Sequence, residues 1–477
     1  LNISKRMKQI RSPYMEIVLL AAGFLLTFGV YFLSSKKYIG YLRDDEAIFN
    51  RLPDTLDIVT LSGSTTYFTY KDAPMGYQYE LISLFADSLE IPIKIHVAPN
   101  TETMLDMLKR KEVDLCIIPQ AVTRSGRQRW RYTGPEQLSG LVLVQRKVKN
   151  PADRLDKITR LAGKRITIVN DHRYEERLQH ISEQIGSHID VNVLQGDTVT
   201  DESLMGEVAL GNIDYTVADQ MLAKLVRTYY SNLDVSLEIG FRQKLQWIVR
   251  PEDSVLAKTL DSLAADIPQN NNYQSIYKRY FELSKGAYLA PVKLIRSGVI
   301  SDFDHIFQQE AKRLVHWPWQ LLASIAYFES NFTPEIIGWS GARGLMGIMP
   351  ATGRIYGADK AALLDPEVSV RVSVSCLLEI RKYLTSVVDE EQKLKLALAG
   401  YNAGVGHLAD ARRLAEKFGY DPGVWDGNVE ECIKLKREPK YYNDPVCKSG
   451  YLRGTETLNY VNNVFGRMKV YQQKTSK

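Results

Sequence analysis

Part-way along the chain the texture of the sequence changes, and one hydrophobic core cannot serve both parts. From Leu56 to about Ile267, short β-rich runs alternate with stretches whose apolar residues recur at helical spacing. After Gly286 the strand-like runs stop, and helical periodicity continues alone. A chain of 477 residues exceeds what a single core normally supports. The change therefore marks a boundary between an α/β region and a mainly α region. In the first region LDIVTL, IKIHV and VDLCII predict strands. They are separated by helices over YELISLFADSLE and TETMLDMLKRK, the second with a threonine at its cap. A second set follows, with strands KRITIV, IDVNVL and IDYTVA and helices YEERLQHISEQI and SLMGEVALGN; LQWIVR and SVLAKTLDSLAADI close the region. The βαβαβ order predicts parallel pairs, and two such lobes predict a cleft between them. In the second region helices are predicted over 303–314, 318–329, 351–356, 366–386, 392–399 and 405–418. Pro318 and Pro366 suit first-turn positions, where a missing N–H costs nothing. The run VSVRVSVS (368–375) alternates like a strand. The Asp365-Pro366 start and the spacing of Val372, Cys376, Ile380 and Leu384 predict a helix instead.

Residues 17–33 (IVLLAAGFLLTFGVYFL) form an unbroken, charge-free run, at the short end of what spans a hydrocarbon core. Lys5, Arg6, Lys8 and Arg11 precede it, and Lys36 and Lys37 follow. That asymmetry predicts a cytoplasmic amino terminus, with everything after the run across the membrane in the periplasm. No small-x-small cleavage site follows, which favours an uncleaved anchor over a signal peptide, and no cysteine lies near the run to carry a lipid. The predicted organisation is a basic flank and anchor over 1–34, a linker over 35–54, an α/β domain over 55–285, a linker over 286–300 and a helical domain over 301–477. Net charge is +5, from 61 basic and 56 acidic residues. Four of those units precede the apolar run, so the bulk of the chain is close to neutral and a nucleic-acid partner is not indicated. The four cysteines fit no zinc spacing, and neither a metal nor a cofactor is expected. Cys116 and Cys376 read as buried thiols, while Cys432 and Cys447, fifteen residues apart in a polar stretch, leave open either a bridge or two free thiols.

The chemistry is concentrated in the helical region. Leu321 begins an apolar run, LLASIAYF, that ends directly in Glu329-Ser330. A carboxylate at the end of such a helix is a candidate for a raised pKa, because desolvation disfavours the charged form, and a protonated glutamate can act as a general acid. GARGLMGIMP (341–350), ALAGYNAG (397–404) and ETLNYV (456–461) follow in order. Together with ES they resemble the lytic transglycosylases with a goose-lysozyme-like domain, over roughly residues 300–470. The resemblance implies a lysozyme-like fold and non-hydrolytic cleavage of the MurNAc-β-1,4-GlcNAc bond of peptidoglycan glycan strands, leaving 1,6-anhydro-MurNAc ends. It makes Glu329 the sole catalytic carboxylate and places Ser330, Met349, Tyr401, Asn402 and Tyr460 in the substrate cleft. Tyr460 matches the tyrosine that orients the glutamate. The family usually reads GLMQ, and here Gly347 replaces the glutamine, which removes a polar contact to sugar.

The α/β region, with GYQYEL (76–81), resembles the periplasmic amino-acid-binding proteins, over roughly residues 55–285. In that family an arginine holds the ligand carboxylate and a late aspartate its amine, which implies Arg127 in TRSGR and Asp219 in YTVADQ. The spacing from threonine to arginine differs from the family pattern by one residue, and NDHRYEERL replaces the usual small-residue turn. A binding-protein domain ahead of such a catalytic domain implies an envelope enzyme whose cleft is regulated by an amino acid or muropeptide. A second reading is a membrane-tethered amino-acid or wall-fragment sensor whose lysozyme-like domain only binds glycan; Gly347 keeps it open. A third is a lysozyme-like hydrolase that uses water.

Overall fold

The computed structural model describes residues 52–194, 199–283 and 298–475. The predicted anchor over 17–33, nearly all of the linker over 35–54 and most of that over 286–300 lie outside the described residues. Among the described residues no helix is long and apolar enough to cross a membrane.

The α/β region folds as two lobes. In the first, strands β1 (Leu56–Leu61), β4 (Ile93–Ala98), β5 (Leu115–Ala121), β6 (Arg131–Ser139) and β12 (Gln243–Val249) form a sheet in the order β4-β1-β5-β12-β6. β1 runs parallel to β4 and β5, as the βαβαβ pattern predicts, whereas β12 is antiparallel to both β5 and β6. Helices α1 (Tyr77–Leu89), α2 (Thr101–Lys109) and α3 (Arg124–Arg129) belong to this lobe. The cap of α2 is Asn100, whose side chain accepts from the Thr103 amide at 2.9 Å, so the predicted threonine cap lies one residue too late.

In the second lobe β7 (Leu141–Arg146) lies between β10 (Tyr215–Asp219) and β11 (Leu233–Asp234), antiparallel to each, while β8 (Arg165–Val169) and β9 (Asp190–Leu194) make a separate parallel pair. Helices α4 (His172–Ile185), α5 (Asp201–Leu210) and α6 (Gln220–Tyr229) pack here; α7 (Ser254–Ala265) and α8 (Asn271–Phe281) follow β12. A short hairpin, β2 (Phe68–Tyr70) and β3 (Ala73–Met75), projects from the first lobe with Lys71 and Asp72 at its tip. Both tip residues have positive φ, 48° and 57°. A two-residue hairpin turn demands that geometry, and without glycine or asparagine it carries a local conformational cost.

The helical region is built on α10 (Trp319–Ser330), in which Leu321, Leu322, Ala323, Ile325 and Ala326 are wholly buried. Around it lie α9 (Asp304–Ala311), α11 (Pro350–Ile355), α12 (Pro366–Tyr383), α13 (Glu390–Ala403), α14 (Val405–Lys417), α15 (Glu430–Leu435), α16 (Pro439–Tyr442) and α17 (Gly454–Thr475). α12 contains the whole VSVRVSVS run, with Pro366 at its first position and the Asp365 side chain accepting from the Val368 amide. Pro318 is the cap of α10 and not a residue of its first turn. The long α17 packs on both α10 and α13. Asp410 and Lys436, each fully buried, pair directly, and Asp410 also accepts from the amides of Lys448 and Ser449 at 2.9 and 2.8 Å. This cluster fixes the loop that leads from α15 to α17.

All four cysteines are free thiols. Burial pushes Cys116 up to about 12, and Cys432 and Cys447 up to about 11. Titrating the full chain, denatured without reductant, is expected to return four thiols. A return of two would show that Cys432 and Cys447 close the bridge.

Candidate active site

Glu329 is the penultimate residue of α10, and Asn331 ends the helix in the left-handed conformation with φ 49°. The helix emerges there from the core, which leaves the carboxylate side chain 11 % exposed. Tyr460, on α17, donates its hydroxyl to Oε1 of Glu329 at 3.0 Å. Burial, reinforced by the charge of Glu329, pushes the Tyr460 phenol far above its usual range, so it stays protonated and remains a donor. The packing of α17 against α10 thus carries the tyrosine expected to orient the glutamate to hydrogen-bonding distance of it.

The other residues implicated by the sequence take different positions. Ser330 is wholly buried, and its hydroxyl is shared between the carbonyls of Ala326 and Leu345, at 2.9 and 2.8 Å. It ties the end of α10 to the GLMG loop and brings no group to the cleft surface. The Tyr401 hydroxyl donates towards the Met346 carbonyl at 2.8 Å and lies 2.9 Å from Ser373 Oγ, so it also braces that loop. Its ring and Met349 line a cavity of about 190 Å³ with Gly347, Tyr356 and Cys376. Asn402 is absent from that lining and borders a separate narrow space with Tyr70, Trp339 and Arg453. Gly347 has φ +60°, and a Cβ built on it would lie 2.1 Å from Oε2 of Glu329. The residue that replaces the family glutamine therefore makes room for the carboxylate itself.

That room is used by a residue with no motif around it. Lys71, at the tip of the β2–β3 hairpin, places Nζ 3.0 Å from Oε1 and 2.9 Å from Oε2 of Glu329, and 3.0 Å from the Gly347 carbonyl. The ammonium also lies 5.4 Å from the centre of the Tyr401 ring. The hairpin is fastened by its backbone and by its neighbours. Lys71 N–H donates to Ala403 O at 3.0 Å, and Asp72 accepts from the amides of Val405 and Gly406 at 3.0 and 3.1 Å. Asp72 thereby caps α14, whose own cap residue, Gly404, offers no side chain. His407 faces the Thr69 carbonyl through Nε2 at 2.8 Å; burial first, and Lys436 next, push its pKa down to about 3, so the ring is neutral and Nε2–H is the donor.

In the α/β region Arg127 is exposed on α3. Asp219 is engaged within its own lobe: it caps α6 through the Met221 amide at 2.9 Å and accepts from Ser139 Oγ at 2.8 Å. The two residues implied as ligand partners are thus an exposed cation and a helix cap. Neither lines the cavity of about 280 Å³ between the lobes, which is bounded by Ser64, Thr66, Asp201, Glu202, Arg437 and Tyr451.

Two family models match the chain: Bacterial extracellular solute-binding proteins, family 3, over residues 58–283, and Transglycosylase SLT domain, over residues 306–422. Similar curated proteins are named membrane-bound lytic murein transglycosylase F. That of Desulfosudis oleivorans is 27% identical over 473 residues, covering 97% of this chain and 99% of its own. That of Shewanella sp. (strain ANA-3) is 29% identical over 435 residues, covering 89% of this chain and 86% of its own. That of Stutzerimonas stutzeri is 27% identical over 457 residues, covering 93% and 89%. The chain joins a family 3 solute-binding domain to a transglycosylase SLT domain, and this is the fusion architecture of the membrane-bound lytic murein transglycosylase F proteins.

Proposed function

We propose that the chain is a peptidoglycan lytic transglycosylase in which Glu329 is the only catalytic carboxylate. The observation that carries the reading is the bond from Tyr460 to Glu329 at the point where a buried helix opens into a cleft. In the first step the protonated carboxyl of Glu329 gives its proton to the glycosidic oxygen, and the C1–O bond breaks. In the second, the carboxylate takes the proton of the muramoyl C6 hydroxyl as that oxygen bonds to C1 and closes the 1,6-anhydro ring. The proton given in the first step is regained in the second, so no water is consumed and one carboxylate suffices, where most glycosidases flank the bond with two. Tyr460 holds the carboxyl in place through both transfers. Met349 and the Tyr401 ring face the sugar, and Tyr401 and Ser330 keep the GLMG loop against the end of α10.

The binding-protein domain, which we place at 55–285, regulates the catalytic domain at 301–477 in response to an amino acid or muropeptide. Lys71 supports this. Its ammonium pairs with both Glu329 oxygens and stands where a glycosidic oxygen would have to approach. Residues 17–33 anchor the chain in a membrane with both domains in the periplasm, a reading supported by the basic residues ahead of that run.

Digestion of purified peptidoglycan, with products weighed by mass spectrometry, tests the chemistry. Anhydro-muramoyl ends are expected, with Glu329→Gln lowering their yield by about 10²–10⁴-fold. Reducing ends one water heavier would indicate hydrolysis, and intact glycan would indicate binding alone. Tyr460→Phe removes one hydrogen bond to a charged group and is expected to slow product formation by about 10–100-fold without loss of glycan binding. An unchanged rate would remove Tyr460 from the mechanism.

A further inference from the structure

The segment between α10 and α11 carries an indole that the helical region does not use in its own core. Trp339 sits in a tight turn, where Gly341 N–H donates to Gly338 O at 2.9 Å and Gly338 N–H to Ala342 O at 2.8 Å. Gly341 supplies the left-handed residue of that turn, with φ +83°. Bridges from Ile337 to Arg343 and from Arg343 to Ile348 join the turn to the GLMG loop. The turn is therefore held by bonds within the catalytic domain, in one unit with Gly347, which lies against Glu329. Trp339 itself is only partly buried and takes no part in the apolar core of the helical region.

Rings from the α/β region surround the indole instead. Tyr70 of the hairpin lies closest to face-on, with ring centres 5.5 Å apart and planes at 38°, whereas Tyr229 and Tyr280 approach edge-on at 6.2 and 6.5 Å. Tyr70 directly precedes Lys71, so one hairpin brings a ring to Trp339 and an ammonium to Glu329. Burial first, and the charge of Glu329 next, push the Tyr70 phenol far above its usual range, as expected beside that carboxylate. With Asn402 and Glu456, Trp339 borders a space of only about 20 Å³, room for about one water, and Tyr70 forms part of its wall. Asn402 is implied for the substrate cleft, and Glu456 begins the ETLNYV motif.

We propose that Trp339 is a substrate-binding residue whose indole stacks on one of the two pyranose rings that flank the scissile bond. Tyr70 takes the place of that ring while the hairpin is docked. The assignment deepens the lytic reading above and rests on it. A β-1,4-linked N-acetylhexosamine carries its substituents equatorially, so each ring face presents axial C–H groups to the electron-rich face of an indole. Packing between domains is the competing explanation, and it accounts for the edge contacts of Tyr229 and Tyr280. It does not account for an indole held out by a turn that the catalytic domain builds for itself, beside Asn402 and the loop that touches Glu329. Stacking places the strand without touching the reacting atoms, so it favours bound substrate and transition state alike and acts on KM.

Turnover of soluble, uncrosslinked glycan strands by the full chain tests the assignment, in the Lys71→Met background that lacks the pair with Glu329. Adding Trp339→Leu is expected to raise KM about fivefold or more with kcat within about twofold, and Trp339→Phe in its place to recover most of the loss. The same strands are titrated against the Lys71→Met/Glu329→Gln chain, where binding is read without turnover; Trp339→Leu is expected to weaken it by a similar factor. Melting temperatures are measured alongside. A KM and a binding constant that Trp339→Leu leaves unchanged, even with a lower melting temperature, overturn the inference and leave Trp339 as packing between domains. Strands that bind none of these chains overturn it as well. Product with an unchanged KM rejects this residue and leaves the lytic reading standing, whereas Trp339-dependent binding without product does the reverse.

Discussion

The ion pair between Lys71 and Glu329 joins residues 258 positions apart in the chain, and the described arrangement of the two domains converges on it. Its ammonium is 8 % exposed and its carboxylate 11 % exposed, so each charge has given up most of its water. Such a pair persists only when the remaining valences are met, because desolvation otherwise outweighs attraction. Here the Gly347 carbonyl takes one more ammonium hydrogen, the Tyr401 ring faces the cation, and Tyr460 donates to the carboxylate. The hairpin that delivers Lys71 places two residues in left-handed conformations with neither glycine nor asparagine. That local cost is offset by the cap that Asp72 makes on α14 and by the bond from Lys71 N–H to Ala403.

The same carboxylate cannot serve Lys71 and a glycan at once. The two-state logic is simple: a latch worth roughly 3 kcal/mol leaves under about 1% of chains open, and an effector needs only comparable differential affinity to reverse the balance. Energies of this order are within reach of a few charge-assisted contacts, and Glu202 of the second lobe makes such contacts with the first lobe and with the catalytic domain. Gly347 belongs to this device as much as to the cleft. Any side chain there would meet Oε2 of Glu329 in its present position, so the departure from the usual glutamine and the presence of the lysine fit one another.

Much of this was legible in the sequence. The strand and helix runs of the α/β region lie close to where their periodicities put them, and Asp365-Pro366 correctly overrode the strand-like alternation of VSVRVSVS. The end of α10 was marked by an apolar run stopping at Glu329, and Tyr460 lies within reach of it. The rest depended on tertiary contacts. A Lys-Asp turn has no local signature, and its partners lie in another domain. Ser330 and Tyr401 were tied to the right motifs, but where their hydroxyls point was decided by the GLMG loop. Asp219 fits a binding-protein pattern, yet it begins α6 and its acceptor is used as a cap. Strand pairing in the second lobe is mostly antiparallel because β7 lies between β10 and β11, a long-range choice that alternation of elements does not encode.

The latch is tested most directly by the rate at which the ligand-free full chain releases anhydro-muropeptides from purified peptidoglycan, before and after Lys71→Met. Removing the ammonium keeps the hairpin's backbone and the Asp72 cap but deletes the pair with Glu329. Release is predicted to rise by about tenfold or more, the equivalent of losing one charge-assisted contact. A rate that is unchanged or lower would contradict the account.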